Sequence, residues 1–218
     1  MRGDKLVIEE EHASVARQIY DLLEQPITES EGKFVITIAG ESGSGKTEIA
    51  TVLSDTITPT GATTLILQQD DYFVYPPKTN EAMRRKNIGH VGTSEVKIDL
   101  LDQNLKDIVD GKNTVVKPLV IFDDDTITEE TVEVKGVKVV IVEGTYTTLL
   151  KNAHRHVFID RDYIDTRAKR LRRAREKQDR FLENVLEIEH DIISAHKAMA
   201  DIIVTRDFQV VRKEIYDS

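Results

Sequence analysis

Three glycines, Gly40, Gly43 and Gly45, precede Lys46 and Thr47 in the stretch GESGSGKT. Glycines at this spacing let the backbone curl until successive N–H groups face one point, an arrangement that suits an anion. A helix starting directly behind the loop adds the positive end of its dipole. Lys46 then supplies a mobile charge for the outer phosphates of a nucleotide, and the Thr47 hydroxyl supplies an oxygen for Mg²⁺. The candidate nucleotide-binding segment is therefore the whole run Gly40, Glu41, Ser42, Gly43, Ser44, Gly45, Lys46, Thr47 and Glu48. It stands between the apolar run FVITIA and a helical pattern, which is the context this chemistry needs.

Moving a phosphoryl group to an alcohol also needs a carboxylate beside the accepting hydroxyl and oxygen ligands for the metal. Three apolar runs end in acids: TTLILQQDD in Asp70 and Asp71, VKVVIVEG in Glu143, and HVFID in Asp160. Ligands gather at the carboxyl ends of strands in open parallel sheets, so these acids are expected around the glycine loop. Asp70 and Glu143 are the pair expected to divide proton transfer and metal binding, whereas Asp160 reads better as a helix cap. Strand alternation should turn Asp71 away from Asp70. No glycine follows an Asp at the Asp-x-x-Gly spacing, and Asn-Lys-x-Asp, His-Arg-Asp and Asp-Phe-Gly are absent. A GTPase switch and a protein kinase are thereby disfavoured, and a small-molecule kinase leads.

The elements that must position these groups alternate. FVITIAG (34–40), 63–71, 131–144, 156–160 and DIIVTRD (201–207) read as strands, the third region holding a turn at Lys135-Gly136 before its strongest strand. Residues 8–25 have helical spacing, and Pro26 is expected to close that helix. Residues 94–110 read as an amphipathic helix with Ser94 as N-cap and a stop at Gly111. Apolar strands alternating with helices imply an α/β fold with a mainly parallel central sheet and helices on both faces.

The 218 residues carry a formal net charge of −9 and no cysteine. That balance argues against broad nucleic-acid binding, and the lack of cysteine fits a reducing compartment. The opening MRGDKLVIEEEH has no signal-peptide core, and no run is long enough to span a membrane, so a cytoplasmic protein is expected. One segment opposes the acidic balance: Arg167, Lys169, Arg170, Arg172, Arg173, Arg175, Lys177 and Arg180 face only Glu176 and Asp179.

In order and spacing these features resemble the uridine kinase and phosphoribulokinase family of phosphate-loop kinases. The resemblance rests on GESGSGKT, QQDDYF (68–73), VVIVEGTY, the arginine-rich helix after VFID, and KAMADIIV, and covers most of residues 33–207. It implies a P-loop NTPase three-layer sandwich with an arginine-rich lid helix, and a phosphotransferase with an alcohol group as acceptor. ATP and Mg²⁺ are the implied cofactors, and a small-molecule hydroxyl compound is the implied partner. Residues 1–30 would form an N-terminal helical extension and 31–218 the kinase domain, with the lid at about 162–182. The N-terminal helix would serve a homo-oligomer interface or pack on the sheet.

By the same resemblance Asp70 is the general base and a second metal contact. Glu143 joins Thr47 at the metal. Arg170 and Arg173 act with Lys46 on the transferred group, and Arg175 holds ATP. The acceptor side departs from the family pattern. Uridine kinases carry Asn-Phe-Asp-His-Pro-Asp where this chain reads NIGHVGTSE (87–95), so His90 matches but Gly89 and Gly92 replace acids. Candidate acceptor contacts are Tyr72, His90, Arg84 and Phe122, with Phe73 and Tyr75 as further rings and Arg85 and Lys86 as further cations. Uridine or cytidine, a sugar, a sugar phosphate or another alcohol are the acceptors weighed. A nucleotide-dependent regulatory module that has lost its acceptor site is the rival of another class.

Overall fold

A computed structural model describes residues 6–173 and 179–213, and the side chains of 172 and 173 fall outside that description. In chain order the elements are α1 (Glu10–Glu29), β1 (Phe34–Gly40), α2 (Lys46–Ile57), β2 (Thr64–Gln68), α3 (Pro77–Lys86), α4 (Ile98–Val109), β3 (Thr114–Ile121) and β4 (Thr126–Glu133). They continue with β5 (Val139–Glu143), β6 (Arg155–Ile159), α5 (Arg167–Arg173), α6 (Arg180–Ile193), β7 (Ile202–Val204) and β8 (Val210–Arg212).

Six strands form the central sheet in the order β2-β5-β1-β6-β7-β8. All neighbours pair in parallel except β7 with β8. Every residue of β1 and β5 is buried, as expected of strands covered on both faces. Alternation divides their side chains. Phe34, Ile36 and Ile38 of β1 join Val139 and Ile141 of β5 in a core with α1 and α2. Val35, Ala39, Val140 and Val142 point the other way, into a core with α4, β3 and Ile193 of α6. Two cores on opposite faces give the three-layer α/β sandwich.

The structure corrects several boundaries. Pro26 lies inside α1, which runs on to Glu29 and keeps Ile27 buried. A proline costs the helix one donor, and the burial of Ile27 in the next position offsets part of that cost. The strand expected over 63–71 ends at Gln68, and Gln69–Tyr72 form a 3₁₀ turn. The helix expected from Ser94 begins at Ile98, because Glu95 turns back to accept from the Gly92 N–H and to bind Arg84. Its end is where the sequence put it: Gly111 takes a φ of +92°, which favours glycine.

The strand of 131–133 is the end of a longer antiparallel hairpin, β3–β4, which forms its own two-stranded sheet. At its tip Asp125 accepts from the Lys78 and Thr79 N–H groups and so caps α3. The final strand is three residues long and is followed by β8 on the sheet edge.

Candidate functional site

The loop between β1 and α2 has the backbone its glycines promised. Gly43 and Gly45 have φ of +77° and +102°, and Gly45 is the N-cap of α2. Ser44 holds a buried hydroxyl with no hydrogen-bond partner, and Lys46 Nζ bonds back to the Glu41 carbonyl at 2.9 Å. An anion in the loop would give both groups a better partner. The Glu41 side chain leaves the loop and meets His190 Nδ1 of α6 at 2.6 Å. Burial raises the Glu41 pKa with His190 partly offsetting it, and the same bond raises that of His190.

Glu143 follows from the parity of β5. Val139 and Ile141 face α2, so Glu143 does too, and it accepts from Thr47 Oγ1 at 3.1 Å and Gln68 Nε2 at 3.2 Å. Burial, and then the charge of Asp70, raise its pKa to about 7, while Lys46 and Thr47 pull the other way. A hydroxyl and a carboxylate joined at the loop's exit are oxygen donors of the kind Mg²⁺ prefers, so Thr47 and Glu143 would be the residues to hold it. Among the described residues no cluster of three or more His, Cys, Asp or Glu forms an all-protein metal site.

The 3₁₀ turn after β2 separates the two neighbouring acids. Asp71 is buried, bonds Lys117 Nζ at 2.6 Å and accepts from the Val120 N–H, so it ties the hairpin to the sheet. Asp70 instead lines a cleft of about 220 Å³ that also reaches Ser42 of the loop. No hydrogen bond or ion pair engages the Asp70 carboxylate among the described residues.

One wall of that cleft is apolar, with Phe73 and Phe122 together with Phe181, Leu182, Val185 and Leu186 of α6. The other wall comes from α3. There Arg84 holds Glu95 at 2.5 Å and Glu189 at 2.8 Å, and Arg85 holds Glu81 and Asp179. Sequence reading placed Arg84 and Phe122 at the acceptor and missed the α6 wall, whose only signal was the apolar periodicity of a helix.

Two expected acceptor contacts stand elsewhere. Tyr72 is fully buried and donates to Asn104 Oδ1, so it belongs to the core. His90 is outside the cleft lining and meets Asn80, which itself lines the cleft. Asp160, read as a helix cap, bonds Lys197.

The basic helix α5 packs against the loop. Thr166 donates to the Ser42 carbonyl, and Arg170 is buried beside Gly43 with Nη1 bound to the Tyr163 carbonyl and Thr166 Oγ1. In this state Arg170 braces the loop from behind rather than lining the cleft. Arg175 and the Arg173 side chain lie outside the described residues.

A glycine loop capped by a helix, with two carboxylates at adjoining strand ends and a cleft beside them, defines a phosphate-loop kinase. The model of the Phosphoribulokinase / Uridine kinase family matches residues 35–209, and the chain belongs to that family. A uridine kinase of Lactobacillus johnsonii is 30% identical over 189 residues, covering 81% of this chain and 88% of that one. The bifunctional alpha-galactosidase/sucrose kinase of Mediterraneibacter gnavus is 29% identical over 195 residues, 83% of this chain, which spans only 21% of that protein.

Among solved structures, a possible uridine kinase from Bacillus stearothermophilus matches with a TM-score of 0.61 at 19% identity, covering 87% of this chain and 98% of that one. D-glycerate 3-kinase from Cryptococcus neoformans matches at 0.60 and 15%, covering 95% and 100%. Both are likenesses of fold. The chain is thus a small-molecule kinase by family, and among its described residues no helix is long and apolar enough to cross a membrane.

Proposed function

We propose that this kinase takes ATP with Mg²⁺ and phosphorylates a hydroxyl of an uncharged, hydroxyl-rich metabolite, a nucleoside such as uridine or a free sugar. ATP supplies the phosphoryl group and Mg²⁺ offsets its charge. Asp70 accepts the proton of the attacking hydroxyl as the new P–O bond forms and the bond to the β-phosphate oxygen breaks. Lys46 leaves the Glu41 carbonyl for the transferred group, and Thr47 and Glu143 are the protein's two oxygens at the metal. Arg170 and Arg173 of the basic helix, with Arg175 beyond it, are the further charges proposed for the phosphates. These steps would take place in the cytoplasm.

The observation carrying the acceptor class is the charge around the cleft. Asp70, Glu81 and Glu189 line it against Lys78, Arg84 and Arg85, and Glu95 and Asp179 add two acids directly on those arginines. Each arginine already faces two carboxylates, so a phosphorylated or carboxylated acceptor would have to displace one. Hydroxyls, by contrast, can donate to the acids while the aromatic wall covers an apolar face.

The names of the relatives support the same class, one being a uridine kinase and one including a sucrose kinase. A coupled ADP-release screen over nucleosides, neutral sugars, sugar phosphates and hydroxy acids tests it. Stimulation by a neutral compound is expected. A sugar phosphate as best acceptor would overturn the charge argument, and nucleotide turnover that no acceptor stimulates would favour the regulatory module.

A further inference from the structure

His12, on the first turn of α1, is 1% exposed and stands at a junction of three segments. A Cβ placed on Gly45 would lie 3.1 Å from its Nε2 and 3.3 Å from its Cδ2, so the imidazole fills the space directly behind the glycine loop. Nε2 is also 3.3 Å from Lys169 Nζ on α5, and the ring meets Phe208 of the β7–β8 turn edge-on at 6.2 Å. Its other nitrogen, Nδ1, accepts from the Glu9 N–H at 3.0 Å and so caps α1, while the Glu9 carboxylate bonds Lys169 at 2.7 Å. Burial first, and Lys169 next, lower the pKa of the ring, which fits a neutral imidazole in a packed site.

A loop that binds phosphate through backbone N–H groups has no side chains of its own at Gly43 and Gly45 to hold its shape. Its geometry must come from what is packed against it, and small misplacements of such donors are costly. α1 is itself fixed by burying Val15, Ala16, Ile19, Leu23 and Ile27.

We infer that His12 is a positioning residue for the nucleotide site, through which the N-terminal helix holds the glycine loop and the basic helix in register. The inference rests on the reading of that loop as the nucleotide site. Two isosteric substitutions separate its two nitrogens. His12→Asn keeps an acceptor near Nδ1 and so keeps the cap, but withdraws the atoms that meet Gly45 and Lys169. His12→Gln reaches the Nε2 position and gives up the cap. Ile19→Ala loosens the same helix without touching the loop.

Calorimetric binding of Mg²⁺ with a non-hydrolysable ATP analogue should weaken on the order of tenfold to a hundredfold in His12→Asn, with a near-native melting temperature. His12→Gln and Ile19→Ala should melt lower and bind nearly as the parent does. Unchanged binding in His12→Asn, or an equal loss in Ile19→Ala, would overturn the inference and leave His12 a helix cap. Absence of binding by the unaltered protein would instead overturn the reading of the loop, and the inference with it.

Discussion

Asp70 offers a carboxylate to the cleft, and asparagine there would keep its size and one acceptor oxygen but could not take a proton. Asp70→Asn should bind ATP nearly normally and lose about 10²–10⁴ in turnover, the range for a positioned general base. Asp71→Asn should do the opposite. It leaves Lys117 buried beside a neutral amide, although Glu130 still meets that lysine at 2.8 Å. Stability should then fall by up to about 3–5 kcal/mol, with turnover of the folded protein within a few-fold. A large turnover loss from Asp71→Asn with an indifferent Asp70→Asn would reverse the two roles.

Glu143 carries a pH signature. Its pKa rises from 4.5 to about 7 on folding, because burial and the nearby Asp70 disfavour the charged form. Folded protein therefore holds a proton that the unfolded chain has lost, so this contribution to stability is present below 4.5 and disappears as pH rises through about 7. In the role proposed for Glu143 the metal would take the carboxylate form, so apparent Mg²⁺ affinity should climb about tenfold per pH unit up to that value and level off above it. Metal titrations of the parent and of Glu143→Gln check this, since the substitution should flatten the slope. A parent profile already flat between about pH 5 and 7 would rule the shift out.

Among the elements, α5 is the one proposed to respond to a nucleotide. Its described residues include Arg167, Lys169 and Arg170, and like charges so close on one helix repel. Thr166, just ahead of it, bonds the Ser42 carbonyl of the loop, Arg170 packs beside Gly43, and Lys169 ties it to Glu9 at the start of α1. Phosphates beneath it would convert repulsion into attraction. Hydrogen exchange across 167–173 should slow on adding a non-hydrolysable ATP analogue with Mg²⁺. Equal protection with and without the analogue would make α5 a fixed brace of the loop and not a lid that responds to nucleotide.

At the scale of the whole molecule, α1 decides whether residues 1–30 are an extension or part of the core. Val15, Ile19, Leu23 and Ile27 are each 5% exposed or less and share a cluster with α2, β1 and β5. Burial of each such side chain stabilises by about 1.5–3 kcal/mol, against about 5–15 kcal/mol for a whole domain. Removing residues 1–30 should therefore abolish the cooperative thermal transition seen by circular dichroism. A truncated protein that melts sharply and still binds nucleotide would make α1 an appendage.

The sequence by itself determined the glycine loop, the parallel α/β core and the presence of acids at three strand ends, because each is written in neighbouring residues. Glycine spacing dictates a turn, and period-two or period-3.6 apolarity dictates an element. The tertiary structure alone decided which partners each acid meets. Asp70 and Asp71 parted company in a 3₁₀ turn that no periodicity announces, and Asp71 found its lysine 46 residues away on a hairpin. Likewise Tyr72 went to the core, Arg84 to two carboxylates and the cleft's far wall to α6, since partners distant in the chain compete for each side chain only once the layers are stacked.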